Sequence, residues 1–217
     1  MSELFQFDDI FGKIIIGTDE AGRGPAAGGV FCACACFREK SQTLIQELST
    51  LNDSKKLSKK RREQLFDIIK ENTIHSIINI EVEEIEKINI LNASLKGMKL
   101  ACESVIAQLR LSEDEKKEIL TLVDGNKLIK DYIYPQKFII KGDGTSASIA
   151  AASILAKVSR DRYMEKLDAE YPEYGWAKNA GYLTAQHLEA IDKYGLCKYH
   201  RPSFLKNHFN KQLSLIL

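Results

Sequence analysis

The reading of "KIIIGTDEAGRGPAAGGVFCACACF", residues 13–37, decides the fold. "KIIIGT" is apolar throughout, as a strand covered on both faces must be, and predicts a central β-strand over 13–18. It runs into two adjacent acids, Asp19 and Glu20, and then into a Gly- and Ala-rich loop. A second strand is predicted over 29–37. A glycine-rich turn after a strand usually cradles phosphate at a helix N-terminus. Here the element that follows is strand-like, Pro25 interrupts the loop, and two carboxylates would repel a pyrophosphate. The loose match to G-x-G-x-x-A (Gly22, Gly24, Ala27) is therefore not a dinucleotide site, and without G-K-[ST] there is no P-loop.

Three of the five cysteines, Cys32, Cys34 and Cys36, alternate along the second strand. Residues two apart in a strand share a face at roughly 6.5 Å spacing, so three thiolates in a row cannot close on one tetrahedral metal. They read as small core residues, with Ala33 and Ala35 closely approached on the other face. An odd number of cysteines is a poor disulfide framework and fits a reducing compartment. The first 13 residues carry acids and no basic n-region, so no signal peptide is read and a cytoplasmic protein is expected. No apolar run approaches the roughly 18 residues of a membrane span. Lys plus Arg is 31 against 30 for Asp plus Glu, so net charge does not select a partner.

Further along, a short helix is predicted over 41–50 and another after Ser58 as N-cap, with Glu63 in its first turns and Leu65, Ile68 and Ile69 as its buried stripe. A third strand is predicted over 74–82, then helix over 83–110 with a stripe through Leu95, Met98, Ala101, Cys102 and Val105. Strands are predicted over 118–125, ending on Asp124, and 137–143, ending on Asp143. A long helix over 146–169, a loop, a helix near 184–194 and a basic C-terminal segment follow. Early strands joined by short connections and later ones separated by helices predict one α/β domain on a mixed sheet, with a C-terminal helical region from about 170.

Asp19, Glu20, Asp124 and Asp143 thus all stand at strand ends. If those strands are parallel and adjacent, the acids converge on one edge, where open α/β sheets gather their functional groups. Clustered carboxylates raise one another's pKa unless a cation intervenes, and hard divalent ions with oxygen ligands suit them. Mg²⁺ or Mn²⁺ beside a phosphodiester is the expected chemistry.

The runs "DEAGRGPAAGGV", "NDSKKLSKKRRE", "VDGN", "KGDGTSASIAAASILAKVSRDR" and "NAGYLTAQHLEAI…GLCKYHRPSF" resemble, in order, the motifs of the ribonuclease HII (type 2 ribonuclease H) family. The resemblance covers about residues 13–204. It implies an RNase H-like five-stranded sheet, three strands antiparallel and then two parallel, with C-terminal helices. It further implies hydrolysis of RNA in RNA–DNA hybrids and at single ribonucleotides embedded in duplex DNA, leaving 3′-hydroxyl and 5′-phosphate ends. Carried over, Asp19, Glu20, Asp124 and Asp143 are the catalytic, metal-coordinating acids. Gly22, Arg23 and Gly24 match the ribonucleotide-recognition element, and Tyr182 the tyrosine that packs on the following nucleotide. Lys55 or Lys56, in the "DSKK" motif, would meet a backbone phosphate. The chain departs from the usual family pattern at Ala26, Gly29 and Thr145, where Leu, Pro and Lys are common.

Lys157, Arg160, Arg162, Lys178, Lys198 and Arg201 read as a second phosphate-binding flank, and Asp161 as an ion-pair partner. His187 and His200 lack the neighbours of a zinc site. Residues 212–215, "QLSL", partly match a sliding-clamp peptide but lack its aromatic pair. A monomer is expected. The rival readings are a DNA-cutting nuclease of the same fold, such as a resolvase, and a non-catalytic nucleic-acid-binding protein. The first would have no use for a 2′-hydroxyl sensor, and the second no use for four strand-end acids.

Overall fold

The computed structural model describes residues 3–51 and 57–216, with side chains to residue 209. A short helix, α1 (Glu3–Asp9), precedes β1 (Ile14–Ala21) and β2 (Val30–Phe37). Then come α2 (Gln42–Glu47), α3 (Lys59–Asn72), β3 (Thr73–Ile80), α4 (Val82–Ile88), α5 (Ile90–Leu109), α6 (Glu113–Lys116), β4 (Ile119–Asp124) and β5 (Gln136–Ile139). The long α7 (Ala147–Glu170), α8 (Trp176–Asn179), α9 (Ala185–Tyr194) and α10 (Pro202–Ile216) complete the order.

The sheet runs β3-β2-β1-β4-β5. β1, β2 and β3 pair antiparallel, and β4 and β5 join parallel to β1. The expected mixed RNase H-like sheet is present, with β1 at its centre. Each face of β2 carries a helix. Cys32, Cys34 and Cys36 pack with Ala93, Met98, Ala101 and Cys102 of α5, while Ala33 and Ala35 pack with the Ala150–Ala152 run of α7. All five cysteines are free thiols. α7 carries small apolar residues on every side through its first half, as a helix buried all round must. It lies directly on β1: a Cβ at Gly17 would stand 2.2 Å from the Ser148 carbonyl carbon, so only glycine permits the approach.

The N-terminus of α7 is fixed from a distance. Asp8, fully buried on α1, accepts hydrogen bonds from the Ser146 hydroxyl (2.6 Å) and from the Ser148 amide (2.9 Å) and hydroxyl (2.8 Å). Burial raises the Asp8 pKa despite these donors.

Several boundaries differ from the sequence expectation. The 83–110 stretch is two helices, broken at Asn89 (φ 65°), whose side chain accepts from the Asn92 amide and caps α5. This positive φ is one that residues with a side chain rarely adopt, and the cap hydrogen bond holds it. β3 stops at Ile80 because Val82 already begins α4. α2 is shorter than predicted, and α3 buries Leu65, Phe66 and Ile69 with Ile68 only half-buried. β5 ends at Ile139, so Asp143 is not a strand-end residue. The chain turns at Lys141 (φ 55°) into a single 3₁₀ turn, Gly142–Gly144, that feeds α7. No helix among the described residues is long and apolar enough to cross a membrane.

Candidate active site

Parallel pairing of β1 with β4 runs to Thr18↔Val123. Asp19 and Asp124 are each the next residue on their strands, so topology alone brings them side by side. Asp19 is 5% exposed. It accepts from the Glu20 amide (2.6 Å) and from the Ser153 hydroxyl on α7. Burial, then the charges of Glu20 and Asp124, push its pKa well above the usual carboxylate value. Asp124 Oδ1 accepts the Gly142 amide (2.7 Å), which ties the end of β4 to the turn carrying Asp143. Arg23 reaches back to Glu20 (Nη1 to Oε1, 3.2 Å) and is half-exposed on its outer side.

These four acids line one cleft of about 310 Å³ together with Gly22, Arg23, Gly24, Ser153, Lys157, Arg160 and Tyr182. Larger grooves elsewhere lie away from the acids. Gly22 has φ 102° and sits on the Arg160 side chain, where a Cβ would meet Nε at 2.2 Å. A Cβ at Gly24 would meet the Tyr182 ring at 3.2 Å. Tyr182 is 53% exposed, so its ring covers the glycine loop on one side and faces solvent on the other. Lys55 and Lys56 lie outside the described residues.

The expected phosphate-binding flank is corrected in two places. Arg160 (2% exposed) and Arg201 (0%) are buried and donate to backbone carbonyls, so neither guanidinium is free to take a backbone phosphate. Arg162 pairs with Glu63, leaving Lys157, Lys178 and Lys198 of that set toward the cleft or solvent. Asp161 is the ion-pair partner expected, bound by Lys157 (2.6 Å) and Arg62 (3.6 Å). Ser153 is a site residue that the motifs do not single out. Nothing in its spacing marks it, since its contact with Asp19 is made only when α7 lies across β1.

His187 and His200 form a buried pair, not a metal site. Their Nε2 atoms are 3.2 Å apart. Trp176 donates to His187 Nε2 (3.0 Å), and His187 Nδ1 faces the Tyr182 carbonyl (2.9 Å). His200 Nδ1 accepts the Cys197 amide (3.0 Å). These partners assign the protons: His187 carries its hydrogen on Nδ1 and His200 on Nε2, both rings neutral. Burial and the facing His187 lower the His200 pKa to about 4.

The donor set around the cleft fits a hard divalent cation: only oxygen donors, four carboxylates, and one of them whose charged form burial and its acidic neighbours disfavour until a cation offsets them. Among the described residues no three acidic, histidine or cysteine side chains already close on a common point.

The ribonuclease HII family model matches residues 16–212. Ribonuclease HII of Fusobacterium nucleatum is 48% identical over 199 residues, 91% of this chain and 88% of that protein. Among solved structures, the ribonuclease H2 of Pyrococcus horikoshii superposes with a TM-score of 0.66 at 26% identity, over 87% of this chain and 92% of that one. Bst-RNase HIII in complex with Mn²⁺ gives 0.64 at 19% identity, over 83% and 62%. With a family match over nearly the whole chain, on a sheet whose topology is that of RNase H, this chain belongs to the ribonuclease HII family of RNase H-type endoribonucleases.

Proposed function

We propose that the protein hydrolyses the RNA strand of RNA–DNA hybrids and nicks duplex DNA on the 5′ side of single embedded ribonucleotides, leaving 3′-hydroxyl and 5′-phosphate ends. One observation carries this reading: the four acids share a single cleft with Gly22, Gly24 and Tyr182. Cutting groups and sugar-sensing groups therefore lie within about one nucleotide of each other.

Asp19, Glu20, Asp124 and Asp143 would hold Mn²⁺ or Mg²⁺, which supplies activation of water and stabilisation of the leaving oxygen. The chain's own residues do the rest. The Gly142 amide fixes the Asp124 carboxylate, and the Ser153 hydroxyl and Glu20 amide fix that of Asp19, so both acids are oriented before substrate arrives. Arg23 keeps Glu20 turned toward the cleft and presents its outer nitrogens to a substrate phosphate. Gly22 and Gly24 expose main-chain polar groups to the 2′-hydroxyl, the group that distinguishes RNA from DNA. Tyr182 packs on the sugar or base that follows. Lys55 and Lys56 contact the phosphate backbone, giving salt-dependent binding without sequence preference. The protein acts as a single catalytic domain, with residues from about 170 forming its substrate-binding region.

The test is a labelled duplex with one embedded ribonucleotide beside an all-DNA control, with and without Mn²⁺ or Mg²⁺. Metal-dependent nicking 5′ to the ribonucleotide, with the control intact, is the expected result. Equal cutting of both duplexes would favour the resolvase-like reading instead.

A further inference from the structure

Arg160 and Arg201 are among the largest fully buried side chains, and among the described residues neither forms an ion pair. A buried charge without a carboxylate partner is costly unless every donor finds an acceptor. The acceptors here are backbone carbonyls of the recognition elements, and among the described residues they meet all three nitrogens of Arg160 but leave Nη2 of Arg201 without one. Arg201 donates to Gly28 (2.8 Å), Pro25 (2.8 Å) and Arg23 (3.4 Å), all on the loop after β1. Arg160 donates to Gly29 (3.3 Å) and Ala27 (3.1 Å) on that loop, and through its third nitrogen to Ala180 (3.1 Å). Ala180 begins the turn that delivers Tyr182.

Arg160 is thus the side chain that spans both halves of the recognition site. The two halves also touch directly, the Ala26 amide donating to the Gly181 carbonyl (2.9 Å). Ala180 and Gly181 both have left-handed backbone (φ 49° and 81°), a conformation an alanine adopts only when its surroundings hold it there. A Cβ at Gly22 would stand 2.2 Å from Arg160 Nε, so the loop rests directly on the guanidinium. A planar fork with donors in three fixed directions makes this bridge; the single ammonium of lysine does not.

We propose that Arg160 is a positioning residue for ribonucleotide recognition: it holds the backbone of residues 22–24 at a fixed distance from Tyr182, and so sets where the 2′-hydroxyl-bearing sugar lies relative to the acids. This rests on the function proposed above. Arg201 fixes one side of the same device, the loop alone.

The experiment compares wild type, Arg160→Lys, Tyr182→Ala and the double variant on a single-ribonucleotide duplex and on a continuous hybrid, with thermal melting of each. Arg160→Lys keeps the charge and loses the bridge. It raises KM on the single-ribonucleotide duplex by between about tenfold and a hundredfold, with a smaller change in kcat. Because Arg160 acts through Tyr182, the double variant is no worse than Tyr182→Ala within about twofold. Losses that multiply, or an Arg160→Lys enzyme matching wild type, overturn the proposal. Arg160→Gln serves as a second variant, and loss of cooperative melting in both assigns the arginine to stability of the fold, which also overturns it. Hydrogen exchange at the Ala26 amide reads the clamp without reference to activity. About tenfold faster exchange in Arg160→Lys supports it, and unchanged exchange overturns it. If the wild-type protein does not distinguish ribonucleotide from DNA, the proposed function fails, while the exchange measurement still decides the clamp.

Discussion

The two walls of the cleft are built by different means. The acidic wall stands on the sheet: Asp19 and Asp124 follow adjacent parallel strands, and Asp143 is tied to them through the Gly142 amide. The opposite wall, Gly22, Gly24 and Tyr182, stands on two loops joined by buried arginines that reach carbonyls as far as 131 to 178 residues away in the chain. Each wall stores a different kind of strain. On the sheet side it is like charge, which raises the Asp19 pKa. On the loop side it is left-handed backbone at Ala180, beside Gly181 and Gly22, whose positive φ only glycine adopts freely. The sheet wall should therefore answer to changes of charge, and the loop wall to changes of shape and hydrogen bonding.

The largest expected effect is on the sheet side. Asp124→Asn removes a negative charge from the cleft while its amide oxygen still accepts the Gly142 N–H. Activity on hybrid falls by about 10³ or more, equivalent to about 4 kcal/mol of barrier. The melting temperature stays level or rises, because repulsion with Asp19 is relieved. Nicking assays and thermal melts on the same preparation check both halves. A fully active variant would show that this wall does not do the chemistry.

The next effect belongs to the loop side and reads out in acid. The His200 ring supports the segment carrying Tyr182 through His187. Its folded pKa of about 4 lies below the ordinary 6.5, so the folded state resists taking up a proton that the unfolded chain accepts. This contribution is complete above about pH 6.5 and is lost as pH falls through 6.5 toward 4, amounting to about 3 kcal/mol at most. Asp8 and Asp19 work in the opposite direction, since their raised pKa values favour the folded state when they are protonated. The comparison of wild type with His200→Gln isolates the histidine: urea unfolding between pH 7.5 and 4 should lose stability less steeply in the variant. Parallel slopes would show that His200 carries no acid sensitivity.

The same division explains what the amino-acid sequence reveals. Apolar runs ending in acid are visible along the chain, so the mixed sheet and the grouping of Asp19, Glu20 and Asp124 are legible in the residue pattern. Asp143 falls one turn beyond its expected strand end because the Asp124 carboxylate, not the β5 ladder, takes the Gly142 amide. The loop wall is less legible. Arg160 and Arg201 sit in basic stretches that look like phosphate contacts, and helical spacing does not reveal that Arg160 lies on the covered side of the half-exposed end of α7. A buried guanidinium held by distant carbonyls leaves no local pattern. Asp8 is a similar case: along the chain it is only an acid near the N-terminus, while its role in the fold depends on two serines about 140 residues on.

The smallest expected effect probes the contact between the two recognition loops. At Gly24 a Cβ would stand 3.2 Å from Tyr182 Cε1, closer than relaxed carbon contacts, and no other neighbour comes nearer than the rest of that ring. Tyr182 is half-exposed, so the ring swings outward by a few tenths of an ångström and the fold is not strained. Gly24→Ala should leave the melting temperature unchanged while lowering kcat/KM on a single-ribonucleotide duplex several-fold, under about 1 kcal/mol. On a continuous hybrid the effect should be smaller, because neighbouring ribonucleotides offer alternative registers to a displaced ring. If both substrates suffer equally, the tyrosine does not select the junction, and its ring contact with Gly24 only shields the loop. If the melting temperature falls instead, the two loops bear on stability, and the contrast between a wall ruled by charge and a wall ruled by shape would have to be redrawn at this residue.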